Sequence, residues 1–171
     1  MTRLVLANAF SFTGALFLCL SCLAKTKKRV ATCQLIQCAF LTCAQIAFGK
    51  PSGAISMSAA FARNLLIALG RYSTPSMVAI ASFTLIFGIS LNVAGIIGLL
   101  PVGAGSFYTI ATRFAKGVVG MKLALMVLLS VWIIYSVLIF DVFGALSNLL
   151  ALTLNVITLT KIIRKKKQSP M

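Results

Sequence analysis

Gly53-Ala54-Ile55-Ser56-Met57-Ser58-Ala59-Ala60-Phe61-Ala62-Arg63-Asn64 and Gly144-Ala145-Leu146-Ser147-Asn148-Leu149-Leu150-Ala151-Leu152-Thr153-Leu154-Asn155 carry the same marks at the same spacing. Gly, Ala, Ser, Ala and Asn recur at offsets 0, 1, 3, 7 and 11, in segments 91 residues apart. Extended without a gap, the match runs from 14–64 to 105–155 and adds Gly14 on Gly105 and Ala24-Lys25 on Ala115-Lys116. The identities fall on glycines, small residues and an asparagine inside otherwise uniform apolar sequence. Self-similarity at a fixed shift is the mark of a fold built by duplication.

The rest of the chain states what is duplicated. It has 171 residues, of which 60% are hydrophobic, and a mean hydropathy of +1.06. Long apolar runs with few charges read as membrane-spanning helices. Seven are expected, at about 4–24, 30–49, 53–70, 77–97, 99–114, 118–140 and 142–163. Residues 77–112 carry no charge, and the break between the fourth and fifth spans is placed at Gly98-Leu99-Leu100-Pro101, because proline suits the first turn of a helix. The first run resembles a signal peptide, but Lys25, Lys27, Lys28 and Arg29 follow at once, and the run has a repeat partner at 99–114.

Net charge is +15. It gathers in alternate loops: Lys25, Lys27, Lys28 and Arg29; then Arg71; then Arg113, Lys116 and Lys122; then Lys161, Arg164, Lys165, Lys166 and Lys167. The other side has Arg3, Lys50 and the only acid, Asp141. The positive-inside rule places the N-terminus outside and the C-terminus in the cytoplasm, which needs an odd number of spans. The basic face is expected to hold anionic lipid headgroups rather than nucleic acid.

Three helices per copy is an odd number, so copies joined directly would be inverted. The span at 77–97 has no partner and acts as an inverting linker. The expected architecture is an all-α membrane protein of seven helices, arranged 3+1+3. Its parts are a first repeat at 1–71, a linker at 72–98, a second repeat at 99–164 and a basic cytoplasmic tail at 165–171. The two three-helix bundles are then parallel, with any site between them near mid-membrane.

In the third helix of each copy, Gly53, Ser56, Ala60 and Asn64, and likewise Gly144, Ser147, Ala151 and Asn155, fall on one face, which Asn148 joins. Two readings stand. Small residues at such spacing let membrane helices pack closely, and asparagine amides in a pocket wall supply donors and acceptors for a solute. Arg63, beside the stripe, is expected close to mid-membrane, where an arginine needs a partner. Asp141 pairs with Lys50, its neighbour by symmetry (50 + 91 = 141). That leaves Arg63 to carbonyls, Asn or Tyr side chains, water or an anionic ligand, or to snorkelling to an interface.

Leu99-Leu100-Pro101-Val102-Gly103-Ala104-Gly105-Ser106-Phe107-Tyr108-Thr109, followed by Trp132-Ile133-Ile134-Tyr135 and Gly144-Ala145-Leu146-Ser147-Asn148, resembles the bacterial inner-membrane family named after YgjV, over about residues 8–165. The resemblance implies location and topology. More distantly, Trp132, Tyr135, Asp141, Phe143 and Asn148, at 0, 3, 9, 11 and 16, are similar to the sixth-to-seventh-helix motif of the SWEET and PQ-loop sugar transporters. That likeness implies Trp132 as a stacking platform and Asn148 as a hydrogen-bonding group. The first copy departs from it, with Leu41 and Met57 at the matching positions, and only Pro101 among the prolines lies inside a span.

Catalytic groups are scarce. The chain has no histidine, no glutamate and one aspartate, too few for acid–base catalysis or a hard-metal site. No enzyme activity and no cofactor are expected. The five cysteines, including the Cys19-Leu20-Ser21-Cys22 pair, read as small apolar filler. The expected function is facilitative transport of a small polar metabolite at a site formed by Trp132, Asn148, Asn155, Asn64 and Arg63, with Ser106 and Tyr108 lining the path. The alternative is a non-transporting scaffold, assembly partner or lipid-binding protein of the same fold.

Overall fold

A computed structural model describes residues 2–49, 51–93, 95–138 and 142–168. These form seven helices: α1 (Thr2–Leu23), α2 (Lys27–Ala47), α3 (Pro51–Ala68), α4 (Thr74–Ser90), α5 (Gly95–Phe114), α6 (Gly117–Leu138) and α7 (Val142–Gln168). Five of them are long and apolar enough to cross a membrane: Val5–Leu23, Lys27–Ala47, Gly95–Phe114, Gly117–Leu138 and Gly144–Arg164. The other two of the seven expected spans fall short of that measure. α4 is apolar but has 17 residues, about 26 Å of helix. α3 carries Arg63, Asn64 and three serines among its 18 residues.

Local chemistry sets most of the breaks. Thr26 caps α2 by accepting from the Arg29 N–H, and Ser73 caps α4 by accepting from the Ser76 N–H with Pro75 in the first turn. Gly70 ends α3 at φ +70°, where the Arg71 N–H reaches back to the Leu66 carbonyl, a closure that needs the left-handed conformation glycine adopts freely. One boundary differs from the sequence reading. α4 ends at Ser90 and α5 begins at Gly95, so the break falls before Gly98–Pro101. The Asn92 side chain donates to the Gly95 carbonyl at 2.6 Å, Gly95 takes φ +60°, and Pro101 sits inside α5 as its seventh residue. The tail expected at 165–171 is also partly helical, since α7 runs to Gln168.

α2 lies between α1 and α3, and α6 between α5 and α7. α1 packs against α7, α3 against α5, and α4 against α3 and α5. Shifting by 91 residues turns α1 into α5 and α3 into α7. The α1–α7 contact therefore maps onto α5–α3.

The repeated glycines differ in role. A Cβ on Gly14 would come within 3.0 Å of Leu41, so glycine is what allows α1 and α2 to approach there. A Cβ on Gly105 would meet nothing nearer than 3.9 Å. A Cβ on Gly53 would meet the Gln45 side-chain end at 2.5 Å, which a flexible amide can relieve. Two buried clusters hold the helices together. Leu18, Cys22, Tyr108, Ala124, Leu125, Leu129 and Ala151 join α1, α5, α6 and α7. Val30, Ala31, Ile67 and Met121 join α2, α3 and α6 at the end where most of the lysines gather. Outward-facing Phe83, Leu85, Ile86, Phe87 and Ile89 leave α4 suited to lipid.

Candidate functional site

Between the helices is a cavity of about 920 Å³. All helices but α4 line it. Asn8, Ser11, Phe12, Leu16 and Cys19 come from α1; Gln34, Gln37, Cys38, Leu41 and Gln45 from α2; Met57, Ala60, Arg63 and Asn64 from α3; Tyr108 from α5; Leu125, Leu128, Leu129, Trp132, Tyr135 and Ser136 from α6; and Gly144, Leu146, Ser147, Asn148 and Leu150 from α7.

These side chains lie at two depths. At 1.5 Å per residue, Arg63 is about 8 Å from the lysine-rich end of α3, at Ala68, and Trp132 is about 22 Å from the lysine-rich end of α6, at Gly117. Trp132 and Tyr135 meet edge to face at 5.5 Å. With Gln45 and Asn148 they stand toward the ends opposite the lysines and form a mouth. The Asn148 amide N–H donates to the Gly144 carbonyl of its own helix at 2.8 Å, leaving Oδ1 as an acceptor.

The base is formed around Arg63, which is 3% exposed. Its Nη1 donates to Thr109 Oγ1 at 3.2 Å, and Nε and Nη2 donate to Asn64 Oδ1 at 3.3 and 3.4 Å. The guanidinium carbon stands 4.5 Å from the centre of the Tyr108 ring, a cation–π contact that helps hold a desolvated cation. Tyr108 donates to Gln34 Oε1 at 3.1 Å, and Asn64 donates to Cys38 Sγ at 3.6 Å. Of the partners open to Arg63 in the sequence, the structure supplies Asn and Tyr side chains and adds Thr109. The expected Lys50–Asp141 pair lies outside the described residues.

Beyond the base, the lysine-rich end is closed. The cluster of Val30, Ala31, Ile67 and Met121 fills it. Lys122 is fully buried; its ammonium donates to the Cys22 carbonyl and, at 3.2 Å, to Asn155 Oδ1. The Asn155 amide returns a bond to the Lys122 carbonyl at 2.9 Å. Lys27 donates to the Thr112 carbonyl at 3.0 Å. Tyr72, whose phenol is pushed up by burial, donates to the Thr109 carbonyl at 2.6 Å. Thus α1 and α5, which correspond by the 91-residue shift, each end on a lysine from the other half. A cation there satisfies orphan carbonyls and offsets the helix dipole.

The structure therefore brings together Trp132, Asn148, Asn64, Arg63 and Tyr108 and leaves out two residues of the expected site. Asn155 is bonded to Lys122 and does not line the cavity, whereas Gly144, Ser147 and Asn148 of the same stripe do. Ser106 is buried away from the cavity, and its hydroxyl, like that of Ser56, has no hydrogen-bond partner among the described residues. Lys122 was grouped with the loop cations; it is instead an internal strut, so it is not available to lipid headgroups. The sequence reading missed Gln34, Gln37 and Gln45. Their signal was present, because offsets 0, 3 and 11 put them on one face of α2, the spacing that singled out α3.

The model of the family Imp-YgjV, described as a bacterial inner membrane protein, matches residues 5–166. The chain belongs to this family. Imp-YgjV membership accounts for the apolar helices and places the protein in the bacterial inner membrane. No curated protein and no solved structure matches the chain, so the family description gives a location and the cavity must speak for chemistry.

Proposed function

We propose that this protein is a facilitative carrier of a small metabolite, built as two three-helix repeats (1–71 and 99–164) joined by α4, and working by alternating access in the manner of SWEET transporters. One observation carries the reading: a large cavity, walled by both halves, is plugged at one end by contacts between those same halves. Separating Val30, Ala31 and Ile67 from Met121, and releasing the Lys122 and Lys27 bonds, would open the base toward the lysine-rich side. The reciprocal α1–α7 and α3–α5 contacts support a rocking motion about an axis between the repeats. With the lysines cytoplasmic, the described state faces outward. Trp132 and Asn148 form the mouth and Arg63, Asn64 and Tyr108 the base. No residue is assigned a catalytic role.

A second reading is a non-transporting, lipid-binding or assembly protein. It is favoured by the largely apolar cavity wall and by a cleft of about 460 Å³ bordered by Lys27, Lys28, Tyr72 and Arg113, which suits anionic headgroups.

Thermal stability of the purified protein against sugars, nucleosides, vitamins and organic anions at about 10 mM separates the readings, because a ligand that binds only the folded state raises the melting point. The carrier reading expects a shift confined to one chemical class and reduced in Asn148→Ala. A shift with anionic lipid alone, none with any solute, and shielding of Trp132 from acrylamide would overturn it.

A further inference from the structure

Within the carrier reading, on which this inference rests, the cavity wall identifies a class of solute. Among the described residues, Arg63 is the only charged side chain that lines the cavity, and no carboxylate lines it. The chain has a single acidic residue, Asp141, which lies outside the described residues. A cation this buried normally has an anionic partner. Arg63 instead donates three bonds to neutral oxygens at 3.2–3.4 Å, longer than the 2.7–2.9 Å typical of charge-assisted pairs. A guanidinium has five N–H donors, so two remain unspent among the described residues. Above it, Leu16, Leu125, Leu128 and Leu129, with Ser11 and Gln37 among them, line a shaft about 15 Å deep that ends at Trp132.

We propose that the base of the cavity binds the carboxylate of an amphipathic organic monoanion, with Arg63 as its counter-ion and the leucine shaft around its body. Two free donors match the two oxygens of one carboxylate. A single cation neutralises one negative charge, so a phosphate dianion would enter with charge to spare. An inorganic anion would leave the leucines facing an empty shaft, and a neutral sugar would leave the Arg63 guanidinium without a counter-ion.

Three compounds of nearly equal shape test this: phenylacetate, 2-phenylethanol and phenethylamine, titrated against the full-length protein in nanodiscs. Trp132 is the only tryptophan and lines the cavity, so its fluorescence reports occupancy. Phenylacetate is expected to bind at least about tenfold tighter than the alcohol, and the amine not at all. Arg63→Gln should erase the preference and Arg63→Lys keep part of it. The wild-type comparison decides the matter even if Arg63→Gln fails to fold. Equal binding of alcohol and carboxylate, or a preference that survives in Arg63→Gln, would overturn the inference and leave the carrier reading intact. So would no binding of any of the three while acrylamide still quenches Trp132. No binding together with a shielded Trp132 would remove the carrier reading as well.

Discussion

Asn155→Leu will destabilise the protein by about 2–4 kcal/mol, without requiring any ligand to be present. The substitution keeps the branched heavy-atom skeleton but removes the acceptor that Lys122 uses at 3.2 Å, and the donor that bonds the Lys122 carbonyl at 2.9 Å. The ammonium is then left fully buried with the Cys22 carbonyl as its only partner among the described residues. Stranding a buried charge in this way costs more than the pair contributes when intact. Removing both ends, as in Lys122→Met with Asn155→Leu, should therefore be less harmful than Asn155→Leu alone. Unfolding of these two variants and of Lys122→Met alone in detergent measures this as a double-mutant cycle. A loss under about 0.5 kcal/mol in the single variant would mean that water reaches Lys122, and the closed lysine-rich end would need redrawing.

Gly88→Ala is the second large effect, expected at about 2 kcal/mol by overpacking. A Cβ on Gly88 would stand 2.8 and 2.9 Å from the two methyls of Val102, against 3.9 Å for the contact at Gly105. Valine is β-branched and stiff at χ1, so it cannot swing aside as Gln45 can from Gly53. α4 has to move off α5 instead. Because α4 touches only α3 and α5 to any extent, that shift should loosen the link between the halves. Val102→Ala in the same chain should restore most of the loss. Thermal melts of the single and double variants test this; equal stability of Gly88→Ala and the parent would contradict the close approach of α4 and α5.

These two sites show what was legible in the sequence. Helix positions followed from apolar run length, and the structure adds the caps at Thr26, Ser73 and Gly70, which act through neighbouring residues only. The α4–α5 turn was misplaced because Pro101 is the louder signal, whereas the Asn92–Gly95 bond that forms the turn is quiet. Membership of Imp-YgjV was legible from the 99–109 and 132–148 stretches. Trp132, Asn148, Asn64, Arg63 and Tyr108 were all read as site residues and do share one cavity. Their division into mouth and base was not legible, since depth depends on where each helix starts. Asn64 and Asn155 are equivalent in sequence yet differ in what they hold: Asn64 steadies Arg63 at the cavity base, and Asn155 anchors Lys122 in the closed end. Periodicity cannot separate such mates, because the difference comes from a lysine on another helix, 33 residues away.

The central claim is that a solvent-reachable cavity lies between the halves and is shut at its lysine-rich end. Asn148→Cys, in a chain whose five cysteines are replaced by alanine or serine, tests it directly. The measurement is labelling with a membrane-impermeant thiol reagent, applied to intact cells and to inverted vesicles. The account predicts rapid labelling in intact cells, and labelling in inverted vesicles only as fast as the closed end opens. No labelling from either side, in a folded variant, would show a solid interior and contradict the account.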